Sequence, residues 1–415
     1  MIGEKLAAER ALARAHWPAG LAALRHRDYR LLWTGTFLTQ TGQWMQYVAI
    51  GWLILDMTDS GFYLGLAGFL RSVPQLFLSV PGGVLADRVD RRRLLSTFQG
   101  LAAALTMLLA LLIVSGHVRV WQVLVLTFLI GCAMAMVFPV RQTLVPNAVP
   151  REDLANAVAL NSAGNNVTRT AGPAVAGALI AAVGVPICFF LQSIGLLLSF
   201  WTSVSMRLPG RDAGARHTSA MADLAEAWAY IRATPAVWGL LLSAAVPTVL
   251  GMPYMALLPM FARDLAIGAE GLGLLMTVMG LGSISGSIAF GALGDFRRKG
   301  PAMLLAAATF GVALLGLAAS GGLHFALLSL FGAGFASAFY QATNNTLLQT
   351  IVPDALRGRV MSAYLLTWGM TPLGTLPLGW LADSTGPSFA VALAGGLVVL
   401  FSGAVTWRVP QMRAL

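Results

Sequence analysis

Two stretches of this 415-residue chain read alike. Gly83-Val84-Leu85-Ala86-Asp87-Arg88-Val89-Asp90-Arg91-Arg92 closes one apolar run. Gly291-Ala292-Leu293-Gly294-Asp295-Phe296-Arg297-Arg298-Lys299 closes another, 208 residues later. In each, a carboxylate follows a glycine by four residues, so both share one face at the end of a helix. Arginines follow, at once in the first copy and after Phe296 in the second. Two more pairs keep nearly the same spacing. Thr143-Leu144 and Val149-Pro150 return as Thr346-Leu347 and Val352-Pro353, 203 residues on. Gly172 and Gly177 return as Gly374 and Gly379, 202 residues on. Ordered matches at almost one offset predict two homologous halves.

Working outward from these anchors, apolar runs between breakers predict twelve helices. They cover 30–55, 61–86, 94–115, 120–141, 155–182 and 185–206, then 236–261, 270–293, 301–320, 324–350, 360–382 and 387–407. Connections as short as 56–60 and 184–185 force neighbouring helices to run antiparallel. The expected fold is an all-α polytopic membrane protein with twelve transmembrane helices in two homologous six-helix bundles. The expected divisions are an N-terminal segment (1–28), a first bundle (29–207), a connector (208–235) and a second bundle (236–415). Within the connector, 220–232 has the pattern of an amphipathic helix lying on a membrane face, and 2–15 resembles it.

Composition agrees. The chain is 57% hydrophobic and only 11% charged, against roughly 25% charged in a soluble domain, and its mean hydropathy is +0.74. A soluble enzyme and a disordered chain are both excluded. The net charge of +10 does not indicate nucleic acid, because the charges sit in short loops between apolar runs. Of the 27 basic residues, 22 fall in loops on the side of the two termini and two, Arg119 and Arg263, on the opposite side. The positive-inside rule then places both termini and the connector in the cytoplasm. Cys132 and Cys188 lie inside apolar runs, too few for a disulfide framework or a zinc site. The charged first 28 residues contain no apolar core of a cleavable signal. No Gly-x-x-x-x-Gly-Lys-Ser/Thr loop exists for ATP, and no His-Glu-x-x-His for zinc. Neither a metal nor a cofactor is expected.

The other three basic residues, Arg71, Arg141 and Arg169, fall within spans. Arg71 and Arg169 lie near mid-depth, where an arginine costs about 2.5–3.5 kcal/mol on insertion scales. Such residues face a cavity or a partner. Asn161, Asn165 and Arg169 recur every four residues and form a polar stripe. Arg71 and Gln75 repeat that spacing, and Gln43 sits near mid-depth between Gln40 and Gln46. All 17 acids lie in loops or at span ends, so the two arginines have no internal counter-ion. The resulting expectation is an anion-accepting cavity built from Arg71, Arg169, Asn165, Asn161, Gln43 and Gln75. The plainer alternative is that the arginines hydrogen-bond the asparagines or backbone carbonyls. Arg141, at the end of the fourth predicted span, reads as interfacial. Trp44, Tyr254, Tyr340 and Trp368 are aromatic candidates for the cavity wall.

The doubled Gly-x-x-x-Asp segment over twelve spans resembles the major facilitator superfamily, over roughly residues 20–408. Asp90 stands where that family usually has glycine, and Phe296 replaces the first basic residue of the second copy. Gln40-Thr-Gly-Gln-Trp44-Met-Gln46, Trp52-Leu-Ile-Leu-Asp56-Met-Thr-Asp-Ser60, residues 81–95 and Leu356-Arg-Gly-Arg-Val360 resemble the branch of enterobactin exporters and macrolide efflux proteins. The resemblance implies secondary export of a small molecule, anionic on the reading above, by proton antiport from the inner membrane of a bacterium, with the protein acting as a monomer. It also implies a conformational latch formed by Gly83, Asp87, Arg88, Arg91 and Arg92, with Asp295 and Arg297 in the second half. Gly172-Pro173 and Gly177 match part of an antiporter motif, though Thr168 and Ala176 depart from it; a kink with tight packing is the simpler reading. A multidrug pump and a membrane sensor or scaffold that does not transport are the alternative functions.

Overall fold

Prolines and glycines punctuate the chain. Pro186 and Pro387 open helices at the first turn, where a missing N–H costs nothing. Gly184 (φ 104°) and Gly386 (φ 89°) end the helices before them in a conformation that favours glycine. These two turns are themselves 202 residues apart.

The computed structural model describes residues 18–207, 228–294 and 296–415, the side chains of residues 19, 79–84, 86–88 and 355 excepted. The first bundle comprises α1 (Arg27–Thr58), α2 (Gly61–Arg88), α3 (Arg91–Val114), α4 (Val120–Ala148), α5 (Leu154–Val183) and α6 (Pro186–Ser205). The second comprises α7 (Pro235–Asp264), α8 (Gly268–Leu293), α9 (Lys299–Ala318), α10 (Leu323–Ile351), α11 (Asp354–Gly369), α12 (Thr371–Thr385) and α13 (Pro387–Arg408). The eleventh span is the broken pair α11–α12. The expected N-terminal helix over 2–15 lies outside the described residues, as does the connector before residue 228; residues 228–233 are helical.

Eight of these helices are long and apolar enough to cross a membrane by composition alone: α3, α4, α6, α7, α8, α9, α10 and α13. The remaining spans are α1, α2, α5 and the α11–α12 pair. Those are the spans diluted by glutamines, asparagines and arginines or interrupted by a break. Their shortfall in hydropathy and their place at the centre of the molecule have one cause, since polar groups at membrane depth must face a cavity or partner. Leu101, Leu108, Leu111, Leu305, Leu328 and Leu400 are exposed on the perimeter, as a lipid-facing surface requires.

Two helices depart from regularity at depth. In α7 a π turn spans Pro247–Gly251, and the Met252 N–H donates to the Pro247 carbonyl. Between α11 and α12 the chain breaks at Met370, just before Pro372. Proline removes a donor from the ladder, and irregular backbone at this depth is tolerated only inside protein or along a water-filled cavity.

The side bearing the basic loops is tied together by polar contacts. Asp90 caps α3, accepting from the Arg92 N–H at 2.9 Å, which gives its departure from the family glycine a local reason. The Arg92 guanidinium donates to the Val204 carbonyl at the end of α6, where a cation complements the helix dipole. Asp153 accepts from Arg25 at 2.6 Å and lies 2.6 Å from the His26 ring. Burial pushes its carboxyl up, but the His26 and Arg25 hydrogen bonds and charges outweigh this and hold it below the usual carboxylate range.

On the opposite side the two bundles meet closely. A methyl group placed on Gly65 of α2 would lie 2.7 Å from the Thr375 carbonyl oxygen and 3.0 Å from the Gly379 Cα of α12. One placed on Gly177 of α5 would lie 2.8 Å from the Ala269 oxygen and 3.0 Å from the Gly273 Cα of α8. Gly65 and Gly273 are related by the 208-residue repeat, and Gly177 and Gly379 by the 202-residue one. The seam is therefore two copies of one small-residue crossing, the kind that lets helix backbones approach within a membrane. Asp383 ties the rim, accepting from Ser60 Oγ at 2.7 Å and from the Gly61 N–H at 2.5 Å. Arg263 and Asp59 form an ion pair across the same seam. That gives a role to one of the two basic residues on this side.

Candidate substrate chamber

From the sealed side the bundles diverge. α5 and α8 touch at Thr170 and Gly280. Toward the basic side, a chamber of about 770 Å³ opens between them, lined by Asn165, Asn166 and Arg169 on one wall and Ser283 and Ser287 on the other. A chamber of about 430 Å³ adjoins it, with Gln40, Gln43, Trp44, Arg71 and Gln75 facing Met252, Pro253, Trp368 and Thr371. The irregular turns of α7 and α11–α12 thus supply its second wall. Between them, about 220 Å³ is lined by Gln40, Gln43, Trp44, Arg71, Asn165, Asn166 and Arg169.

Spacing along α2 and α5 predicted two separate polar stripes. The helix packing turns both toward one space, with Arg71 and Arg169 in its wall. Gln43 comes from α1, Gln75 continues the wall below Arg71, and Asn161 lines a side recess with Asn165. Gln40 Nε2 donates to Asn165 Oδ1 at 3.1 Å, bridging α1 and α5.

Neither arginine has a carboxylate partner among the described residues. The Arg71 guanidinium lies over the Tyr47 ring, 4.8 Å from its centroid. Such an interaction partly replaces lost hydration. Arg169 Nε is buried without a hydrogen-bond partner. Tyr254 lies within electrostatic range of Arg169, but its hydroxyl is turned to Met279 Sδ at 2.8 Å. Among the described residues, no Asp, Glu, His or Lys lines any of these three spaces.

Several sequence expectations change here. Arg141 is not interfacial: α4 continues seven residues past it to Ala148. Its side chain turns into the first bundle, donating to Thr39 Oγ1 at 3.3 Å and lining the recess with Gln40, Gln43 and Asn161. Tyr254 and Tyr340 belong to the second bundle's core, 2% and 1% exposed; Trp44 and Trp368 do line the chamber. Tyr47, Asn166 and Thr371 are chamber residues that sequence reading did not single out. Asn166 was hidden because it falls outside the four-residue stripe.

The latch residues are only partly visible. Gly83, Asp87 and Arg88 end α2, but their side chains lie outside the described residues, as does Asp295 altogether. Arg91 and Arg92 begin α3, and Arg297 lies in the turn before α9. The second copy differs in backbone. α8 stops at Leu293, Gly294 turns with φ 59°, and Phe296 packs on Phe290 and Phe339.

Two six-helix bundles closed on one side over a polar mid-membrane chamber are the architecture of a major facilitator transporter. The family described as transmembrane secretion effector matches residues 18–415, and the chain belongs to it. It is 27% identical to the staphyloferrin A transporter of Staphylococcus aureus, covering 86% of this chain and 90% of that protein. It is likewise 27% identical to the multidrug efflux pump Tap of Mycolicibacterium fortuitum, over 90% and 93%. Against the enterobactin exporter EntS of Escherichia coli the identity is 25%, over 92% and 88%. Among solved structures, the nucleoside transporter NupG superposes with a TM-score of 0.74 over 92% of this chain and all of that one, at 14% identity. This protein is a polytopic membrane transporter rather than an enzyme.

Proposed function

We propose that the protein exports an anionic or polyhydroxylated metabolite, of the siderophore kind, by alternating access through the chamber. The observation that carries this reading is the pair Arg71 and Arg169 lining one polar space with amides and no acid. In a poorly screened cavity their positive potential favours a carboxylate, phosphate or catecholate, which guanidiniums hold by charge-assisted and often bidentate hydrogen bonds. A cationic drug would meet repulsion. Gln43, Gln75, Asn161 and Asn165 would hydrogen-bond hydroxyl and carbonyl groups around the anion. The names of the relatives support both a siderophore and a drug; the charge of the chamber favours the first.

Flux into proteoliposomes tests this. Staphyloferrin A or enterobactin is expected to be transported, and a cationic macrolide not. Transport of the macrolide alone would reject the reading in favour of multidrug efflux.

The orientation proposed is that the basic side, with both termini, faces the cytoplasm, so the open chamber loads from inside. Cysteines placed singly at Ser219 and Ser60 in a cysteine-free background should report it. Only the second is expected to react with an impermeant reagent in intact cells, and labelling at Ser219 would overturn the orientation.

The latch proposal is that Asp87 pairs with the arginines of the α2–α3 turn when the basic side closes. Asp87→Asn is expected to lower flux about fivefold or more, the scale of a 1 kcal/mol conformational coupling, at normal membrane abundance. Wild-type flux would remove the latch. Coupling to protons, which the family resemblance implies, has no carboxylate or histidine among the described residues of the chamber to use. A proton moving with the cycle would therefore ride on a transported solute.

A further inference from the structure

Closing the chamber empty is electrostatically costly. Arg71 and Arg169 line the spaces that open toward the basic side, where water can reach them. To turn toward the opposite side, the bundles must first close over both guanidiniums. Beyond Arg71, toward the sealed seam, lies a small apolar pocket lined by Val48, Ile50, Leu64, Ala67, Pro259, Leu272 and Met276. Apart from the Tyr47 hydroxyl, which shares this lining, it offers no side-chain nitrogen or oxygen acceptor. Arg71 already uses the Tyr47 ring, and Arg169 Nε has no partner. The Tyr254 hydroxyl is committed to Met279. Arg141 adds a third guanidinium to the same bundle interior. It donates to a neutral hydroxyl, Thr39 Oγ1, and its Nε is buried without a partner.

A transporter with a titratable carboxylate in its chamber can neutralise an arginine internally on the empty leg. Here all the acids lie in loops or at span ends, so that route is missing. An uncompensated buried charge is far more expensive than a paired one. The anion that neutralises the arginines on the outward leg has no internal substitute on the return.

We infer that the protein is an exchanger: its return leg carries a small inorganic oxyanion, of the phosphate class, bound by Arg71 and Arg169. A tetrahedral oxyanion is favoured because its oxygens match the planar guanidinium fork and it fits within the space of about 220 Å³ between the two arginines. This rests on the reading of the chamber as an anion site. It assigns the cycle a second solute, and it removes the need for a proton-carrying side chain.

The test uses the full chain in proteoliposomes preloaded with labelled staphyloferrin A. Potassium is equal on both sides, with valinomycin and nigericin present to abolish potential and pH gradients. Efflux is timed into potassium dextran sulfate, an impermeant polyanion, and into the same medium with inorganic phosphate or with unlabelled staphyloferrin A. Efflux into phosphate is expected to exceed efflux into the polyanion alone by about tenfold or more, the ratio given by a modest barrier difference. Labelled phosphate should enter as the siderophore leaves. Equal efflux with and without phosphate overturns the exchange inference and leaves the anion-chamber reading standing. Acceleration by unlabelled siderophore but not by phosphate also overturns it, because the counter-solute is then not inorganic. No efflux in any medium, with no Arg169-dependent flux of enterobactin either, is the failure of the chamber reading itself, and the inference falls with it.

Discussion

Arg169→Ala is expected to bring transport of an anionic substrate to background. Arg169 sits halfway along α5 with a buried, unpartnered Nε. It lines the same space as Arg71, Gln43 and Asn165. Truncating one partner of a desolvated charge pair costs about 2–5 kcal/mol, which is roughly a thirtyfold or greater loss of affinity. Arg71 alone is a poor substitute, because its guanidinium is already held over Tyr47. Arg169→Lys should recover part of the flux, since an ammonium restores the charge but not the planar fork. Membrane abundance should stay normal, because removing an unpaired mid-membrane charge relieves an insertion cost. Wild-type flux in both Arg169→Ala and Arg71→Ala would make the arginines structural.

The second large effect is expected at the seam. Gly65→Leu forces side-chain atoms into the Thr375 carbonyl and Gly379, where backbone on both sides cannot yield. Overpacking of this kind costs about 1–3 kcal/mol, or roughly 5- to 150-fold in the population of the sealed state. Gly65 contacts the other bundle rather than its own, so each bundle should still fold. The variant should therefore be abundant, nearly inactive and more reactive to an impermeant thiol reagent at chamber cysteines placed from the side opposite the termini. Gly177→Leu, its counterpart through the repeat, should behave alike. Gly396→Ala, with open space around it, should be neutral. Full activity in Gly65→Leu would mean that the halves do not need this approach.

Much of this arrangement is legible in the chain. The helix limits follow from apolar runs punctuated by prolines and glycines, and those signals are local. The six proposed site residues stand out in the chain because a charge or amide at mid-depth is costly unless it faces a cavity. What was not legible came from two sources. Arg141 looked like the polar end of a span, whereas α4 runs on to Ala148 and carries the arginine into the bundle. A helix can continue past the apolar layer without any change in its own pattern. The breaks at Pro247–Gly251 and Met370 were hidden for a similar reason. Proline is tolerated in membrane helices, and whether it kinks or interrupts one depends on neighbours that re-satisfy the backbone. The seam glycines show the reverse case. Gly177 and Gly379 were visible as a repeat, but their partners Gly65 and Gly273 are found only once the bundles are packed.

The most direct measurement of the central claim is equilibrium binding to purified protein, read from the fluorescence of Trp44 in the chamber wall with the other tryptophans replaced. Staphyloferrin A or enterobactin is expected to bind the wild-type chamber, and Arg71→Ala with Arg169→Ala together to abolish the signal, while a cationic macrolide binds neither form. Macrolide binding that survives unchanged in the double variant, with no response to either siderophore in the wild type, would contradict it.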